Sequence, residues 1–186
     1  MARTPSTMRA LGSPLPAFDL LDTVSGKRNG SAALQGKIGV IAFICNHCPF
    51  VVHLKRDLTE FGQWCADSGV AMLAISSNDV VEYPQDGPKL MAEDAKAFGY
   101  PFPYLYDETQ AVARAFDAAC TPDFFVFDRD GKLAYRGQFD ASRPGNGLPV
   151  TGVDLRAAVS ALLAGKQPNP DQKPSIGCNI KWKAAS

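Results

Sequence analysis

Histidine is scarce in this chain, with only His47 and His53 among 186 residues, and tryptophan is equally rare with two. Neither sign of charge prevails, since 19 Lys and Arg meet 19 Asp and Glu. A balanced charge removes the electrostatic reason for binding nucleic acid or an anionic membrane surface, so neither is expected as a partner. Long apolar runs are also missing. The longest, near Val40–Cys45 and Val70–Ile75, fall far short of the roughly 20 residues that cross a bilayer. Met1-Ala2-Arg3-Thr4-Pro5-Ser6-Thr7 has no apolar stretch behind its arginine, so no secretory leader is expected, and the cytoplasm is the expected compartment. What is present, 46% hydrophobic and 20% charged residues, suits one domain with a real core.

The cysteines carry the chemical signal. Cys45, Cys48, Cys65, Cys120 and Cys178 are odd in number and scattered, which is not the pattern of a secreted disulfide framework. Cys65 lies in an apolar, helical neighbourhood and reads as a small buried hydrophobe. Cys45-Asn46-His47-Cys48 is a C-x-x-C, a spacing shared by half a zinc site, by a thiol–disulfide couple and by cysteines with no chemistry at all. A structural zinc site needs a second Cys/His pair at similar spacing. None exists, so no metal or other cofactor is expected.

Hydrophobic patterning places the motif. Residues 1–13 read as a loosely held arm, and 14–186 as one domain ending in an extended tail, 166–186. Short apolar pieces broken by Gly26 and Gly30 predict an N-terminal hairpin between Pro14 and Leu34. Ile38–Ile44 is continuously apolar, as in a strand buried on both faces. Val51, Leu54, Leu58, Phe61 and Cys65 then recur at helical spacing, with Pro49 suited to the first turn. Further strands are expected at Val70–Ile75, Phe102–Tyr106, Phe124–Phe127 and Leu133–Arg136. Helices are expected at Lys89–Phe98, through Phe116 behind an Asp107/Gln110 capping box, and from a Thr151/Asp154 cap to Gly165. This order predicts an α/β fold, a mixed sheet flanked by helices.

The motif thus sits where a buried strand hands over to a helix. Unpaired N–H groups there favour a thiolate, the reacting species in disulfide exchange. Cys45, expected to be exposed, is the candidate nucleophile, and Cys48 the resolving thiol. His47 would support the thiolate if it is protonated or donates a hydrogen bond.

Phe43-Ile44-Cys45-Asn46-His47-Cys48-Pro49-Phe50-Val51, Thr121-Pro122-Asp123-Phe124-Phe125, Gly137-Gln138-Phe139-Asp140 with Ser142-Arg143-Pro144, and Ile176-Gly177-Cys178-Asn179-Ile180-Lys181-Trp182 together resemble the thioredoxin fold. More closely, the chain resembles the peroxiredoxin-like branch of the alkyl-hydroperoxide-reductase/thiol-specific-antioxidant (AhpC/TSA) superfamily. It is also similar to thiol–disulfide reductases of the TlpA/ResA type, without their membrane anchor. The resemblance implies a thioredoxin-like fold and a redox-active Cys45–Cys48 pair. It also implies that Pro122 is a cis-proline lying with Thr121 against that pair.

The chain also departs from these relatives. Ile44 stands where thioredoxins carry Trp, and Asn46-His47 where they carry Gly-Pro. Ile38–Ile44 holds no acidic residue, and the peroxiredoxin Pro-x-x-x-Thr-x-x-Cys signature is missing before either cysteine. Arg136 and Arg143 read as solvated. Cys120 and Cys178 are additional redox candidates, either as a pair of their own or with Cys178 relaying to Cys45. The expected function is thiol–disulfide exchange with protein or small-molecule thiols and disulfides, the oligomeric state being open. The alternatives are a thiol-dependent peroxidase and a copper- or zinc-binding protein of this fold.

Overall fold

The computed structural model describes residues 3–184. Among the described residues are ten strands and five α-helices. The first strands are β1 (Arg3–Pro5), β2 (Asp19–Asp22), β3 (Arg28–Gly30) and β4 (Gly39–Phe43). Helices α1 (Pro49–Val52) and α2 (Lys55–Asp67) precede β5 (Ala71–Ser76), α3 (Pro88–Phe98) and β6 (Tyr104–Tyr106). Then come α4 (Ala111–Ala115), β7 (Cys120–Thr121), β8 (Asp123–Phe127), β9 (Leu133–Gly137), α5 (Val153–Leu163) and β10 (Ile176–Asn179).

Seven strands form a mixed sheet in the order β3-β2-β6-β5-β4-β8-β9. At its centre β4 runs parallel to β5 and antiparallel to β8. Alternation along β4 divides the core. Val40, Ala42 and Ile44 pack beneath α1, α2, α3 and α5, while Ile41 and Phe43 face α4 with Phe116 and Phe125. Both faces are covered, which is why this strand reads as an unbroken apolar run. The hairpin between β2 and β3 lies on the sheet through β6. Among the described residues no helix is long and apolar enough to cross a membrane.

A second sheet, β1-β10-β7, positions the site. Arg3–Pro5, expected in a loose arm, instead pairs antiparallel with β10 along the register Arg3↔Cys178 to Pro5↔Ile176. Ser6 extends the attachment, its N–H donating to the Ser175 carbonyl at 2.9 Å. The correction has a simple cause, because an isolated three-residue strand has no periodicity to detect and gains its order from the tail that it meets.

Two other expectations change. The single helix from Val51 to Cys65 is broken, since the Leu54 N–H turns back to Val51 O at 2.9 Å and the His53 ring reaches Ser142 Oγ at 2.7 Å. Apolar spacing continues through the break, so pattern alone misses it. Asp107 does cap α4, accepting from the Ala113 N–H at 2.9 Å, but Gln110 does not close a capping box. Its side-chain amide instead donates to Ser77 O and Lys181 O at 2.7 and 2.8 Å and so ties down the tail.

Candidate active site

Cys45 follows β4 by two residues, and Cys48 is the residue before α1, whose first residue is Pro49. The Cys48 carbonyl accepts the Val51 and Val52 N–H groups, each at 2.9 Å, which sets the turn. Cys45, expected to be exposed, is only 1% exposed, and Cys48 is fully covered. Part of the cover over Cys48 is β10, through Cys178, which the sequence does not reveal because the strand's pairing partners lie far away in the chain.

Thr121 meets both thiols. Its hydroxyl lies 3.4 Å from Cys45 Sγ, and its carbonyl accepts the Cys48 thiol at 3.1 Å. The Thr121–Pro122 peptide is cis. On the far side, Cys178 Sγ stands 2.9 Å from Cys48 Sγ. The register explains this placement, because Cys178 lies opposite Thr121 and Asn179 opposite Cys120. Directly opposed residues share a face, so Cys178 points with Thr121 toward the C-x-x-C. The structure therefore brings Cys178 to Cys48 and does not pair it with Cys120, whose thiol donates to Pro122 O at 3.6 Å. Gly177 permits the approach, as a Cβ there would overlap the Thr121 carbonyl.

The residues between the cysteines are held by groups that sequence reasoning missed. Buried Asp86, in the loop after β5, accepts the Asn46 N–H at 2.8 Å and the His47 N–H at 3.3 Å through Oδ1. Its Oδ2 pairs with His47 Nδ1 at 2.6 Å and accepts Asn78 Nδ2 at 2.8 Å. Tyr83 stacks on the His47 ring with centroids 5.5 Å apart. Asn46 also accepts from Tyr104 Oη at 3.1 Å and from the buried Lys55 ammonium at 3.2 Å, which in turn pairs with Asp94 at 2.6 Å. Asn78 continues to the tail, where its Oδ1 accepts the Lys181 N–H at 2.9 Å. The only signal in the sequence was a polar, proline-rich stretch after a buried strand.

Residues 11–136 match the AhpC/TSA family. The chain belongs to the AhpC/TSA family. It is similar to an uncharacterized conserved protein from Geobacillus kaustophilus, at 51% identity with a TM-score of 0.98, covering 100% of this chain and 99% of that one. A hypothetical protein from Sinorhizobium meliloti 1021 is similar at 48% identity and TM-score 0.95, covering 98% of this chain and 100% of that one. A thioredoxin-family thiol:disulfide interchange protein from Chlorobium tepidum TLS shares the fold at 21% identity and TM-score 0.64, covering 83% of this chain and 98% of that one. No curated protein matches the chain. The fold of this AhpC/TSA chain is thioredoxin-like.

Electrostatics separate the thiols of this AhpC/TSA protein. The hydrogen bond from Cys45 holds the Cys48 thiol well below its ordinary value against the opposing effect of burial, helped by Cys178, Thr121 and the Val51 N–H. Cys45 moves the opposite way. Donating to Cys48 holds its proton, and burial and the Asp86 charge act in the same direction. Cys178 is pushed up to about 12, first by burial and then by its hydrogen bond to Cys48. Burial also pushes Cys65 up to about 12, in keeping with a packing role, and raises Cys120.

Among the described residues, Cys45, His47 and Asp86 each place one ligand atom within 4.8 Å of the others. Arg143 is half-buried beside the site rather than solvated. It lines a small cavity with Phe50, Pro122 and Phe139, and its guanidinium donates to Gln138 Oε1 and Asp140 O, each at 2.6 Å. Arg136 lies away from the cysteines and donates to Arg9 O at 2.8 Å.

Proposed function

We propose that this protein is a thiol–disulfide oxidoreductase that exchanges electrons through Cys45 and Cys48, with Cys48 as the attacking thiolate. The observation that carries the reading is the meeting of both thiols on Thr121 at the entry to α1, and the lowered pKa of Cys48 marks it as the attacking thiol. Cys48 attacks one sulfur of a partner disulfide, forming a mixed disulfide and releasing the other partner sulfur as a thiolate. Cys45 gives its proton to the first released partner thiolate, attacks Cys48 Sγ and releases the second partner thiolate, leaving Cys45–Cys48 oxidised and the partner reduced by two electrons. Thr121 positions both sulfurs, and the His47–Asp86 pair fixes the turn between them. No cofactor takes part, and the partners are protein or small-molecule thiols and disulfides.

The test is a redox titration in glutathione buffers, with acid quenching and thiol alkylation. A reversible Cys45–Cys48 disulfide poised between about −270 and −120 mV supports the reading. Failure of that disulfide to form at any poise overturns it.

The nearness of Cys45, His47 and Asp86 favours a second reading, in which the site holds copper or zinc. Titrating each metal against reduced protein tests it, and stoichiometric binding lost in Cys45→Ser supports it. The burial of both thiols favours a third, reduction of a small hydroperoxide rather than a bulky disulfide, which a peroxide-consumption assay tests.

A further inference from the structure

Exchange between Cys45 and Cys48 leaves a third thiol unused, although it stands in reacting position. Cys178 is carried on a strand clamped along both edges, by β1 and by β7. Beyond it, Lys181 is fastened by Asn78 and by Gln110. The Asp79 N–H, donating to Lys181 O at 2.8 Å, adds a third tie. Gly177 lets this strand lie directly on the Thr121–Pro122 backbone. The 2.9 Å separation of the Cys48 and Cys178 sulfurs is therefore set by strand register rather than by a wandering tail. Bridging two cysteines ordinarily requires Cα atoms within about 7 Å. The two sulfurs, 2.9 Å apart, have to close by less than about 1 Å to reach the roughly 2.05 Å of a disulfide.

We propose that Cys178 is a third redox-active thiol, which takes the Cys48 sulfur from Cys45 so that the oxidised protein isomerises between a Cys45–Cys48 and a Cys48–Cys178 disulfide. The proposal rests on the dithiol reading above. Cys178 loses its proton and attacks Cys48 Sγ. The Cys48–Cys178 bond forms, the Cys45–Cys48 bond breaks, and Cys45 leaves as a thiolate that takes up a proton. No electrons leave the protein, and no further oxidant is needed. The preference of Cys45 for its protonated form suits it to receive that proton. The product ties the C-terminal strand covalently to the start of α1, closing the cover over the site while restoring Cys45 as a thiol.

The test uses the full chain, oxidised with glutathione disulfide, quenched in acid, alkylated and mapped by peptide mass spectrometry. Cys45→Ser is expected to form a Cys48–Cys178 disulfide in most molecules, reversed by dithiothreitol. Cys48 recovered only as its glutathione adduct, with Cys178 alkylated, overturns the proposal. Cys178→Ser tests the dithiol reading separately, since loss of Cys45–Cys48 there sinks that reading and says nothing against a bridge seen in Cys45→Ser. If circular dichroism shows Cys45→Ser unfolded, wild-type protein decides. A Cys48–Cys178 fraction beside Cys45–Cys48 supports the isomerisation, and its absence at every glutathione ratio overturns it.

Discussion

Asp86 grips His47 twice, through the backbone N–H at 3.3 Å and through ring Nδ1 at 2.6 Å, across 39 residues of chain. The turn between the two cysteines is thus shaped by a buried carboxylate in another loop. Asp86→Ala leaves the Asn46 and His47 N–H groups and the Asn78 amide without their acceptor. At ~1–3 kcal/mol for each unsatisfied buried donor, a loss of about 3 kcal/mol or more is expected. Urea unfolding of the reduced protein measures it, and a loss well under 1 kcal/mol would show that the turn holds itself.

Cys48 is expected to react as a thiolate below the pH at which ordinary cysteines ionise, because Cys45, Cys178, Thr121 and the Val51 N–H all lower its pKa. Because Cys48 is covered, the pH dependence of the ultraviolet thiolate absorbance of the reduced protein, taken as the difference from Cys48→Ser, checks this. Cys45→Ala removes the largest of these donors and should move the Cys48 midpoint upward. A midpoint unchanged in Cys45→Ala, or already near the ordinary value of about 8.5 in wild-type protein, would count against the assignment.

Much of this arrangement was legible in the chain, and the remainder has physical reasons for being hidden. Ile38–Ile44 predicted β4 because a strand covered on both faces is apolar at every position. The apolar stretches Phe124–Phe127 and Leu133–Arg136 predicted β8 and β9, and the turn between them carries Gly131 at φ 70°. Asp86 escaped notice because its importance arises from residues about 40 positions earlier, and no local pattern marks a carboxylate as buried. Lys55 is buried against Asp94 and Asn46, and nothing local in the sequence marks a lysine in a helix as buried. Cys178 was a candidate from the outset, yet its partner, 130 residues away, depended on a strand register that only the fold supplies.

Gly177 makes that register possible, so Gly177→Ala is expected to push β10 off the Thr121–Pro122 backbone. The added Cβ meets rigid backbone rather than a flexible side chain. Cys178 should become accessible to alkylation under native conditions, whereas in the wild-type protein it is 2% exposed. Labelling Cys178 in the folded variant and wild type gives the comparison. Equal protection in both would mean that the strand accommodates a methyl group without shifting.

The buried Lys55–Asp94 pair supports the same turn from below, through the Lys55 ammonium on Asn46 O. Asp94→Ala leaves that ammonium buried without its counter-charge, a change expected to cost roughly 3 kcal/mol. Lys55→Met, which removes the charge and keeps the packing stem, should cost less if Asp94 turns outward to water. Urea midpoints of the two variants rank them, and the reverse order would place the main role in the Asn46 contact rather than in the ion pair.

Asp123 follows Pro122 on β8, fully buried, with Ser6 Oγ donating to its Oδ1 at 2.6 Å. Burial raises its pKa from 3.8 to about 7, although Ser6 and the backbone of Ala119 and Phe124 pull the other way. Between those values the folded protein keeps a proton that the unfolded chain has released. Stability from this group is therefore complete at acid pH and is lost as pH rises toward 7. The urea midpoint of the wild-type protein should carry this downward component over that interval. Asp123→Asn has no proton to lose, so its midpoint should fall less steeply over the same range, even if the amide lowers stability at every pH. Parallel curves for the two proteins would mean that Asp123 is already ionised in the fold and owes its place to Ser6 alone.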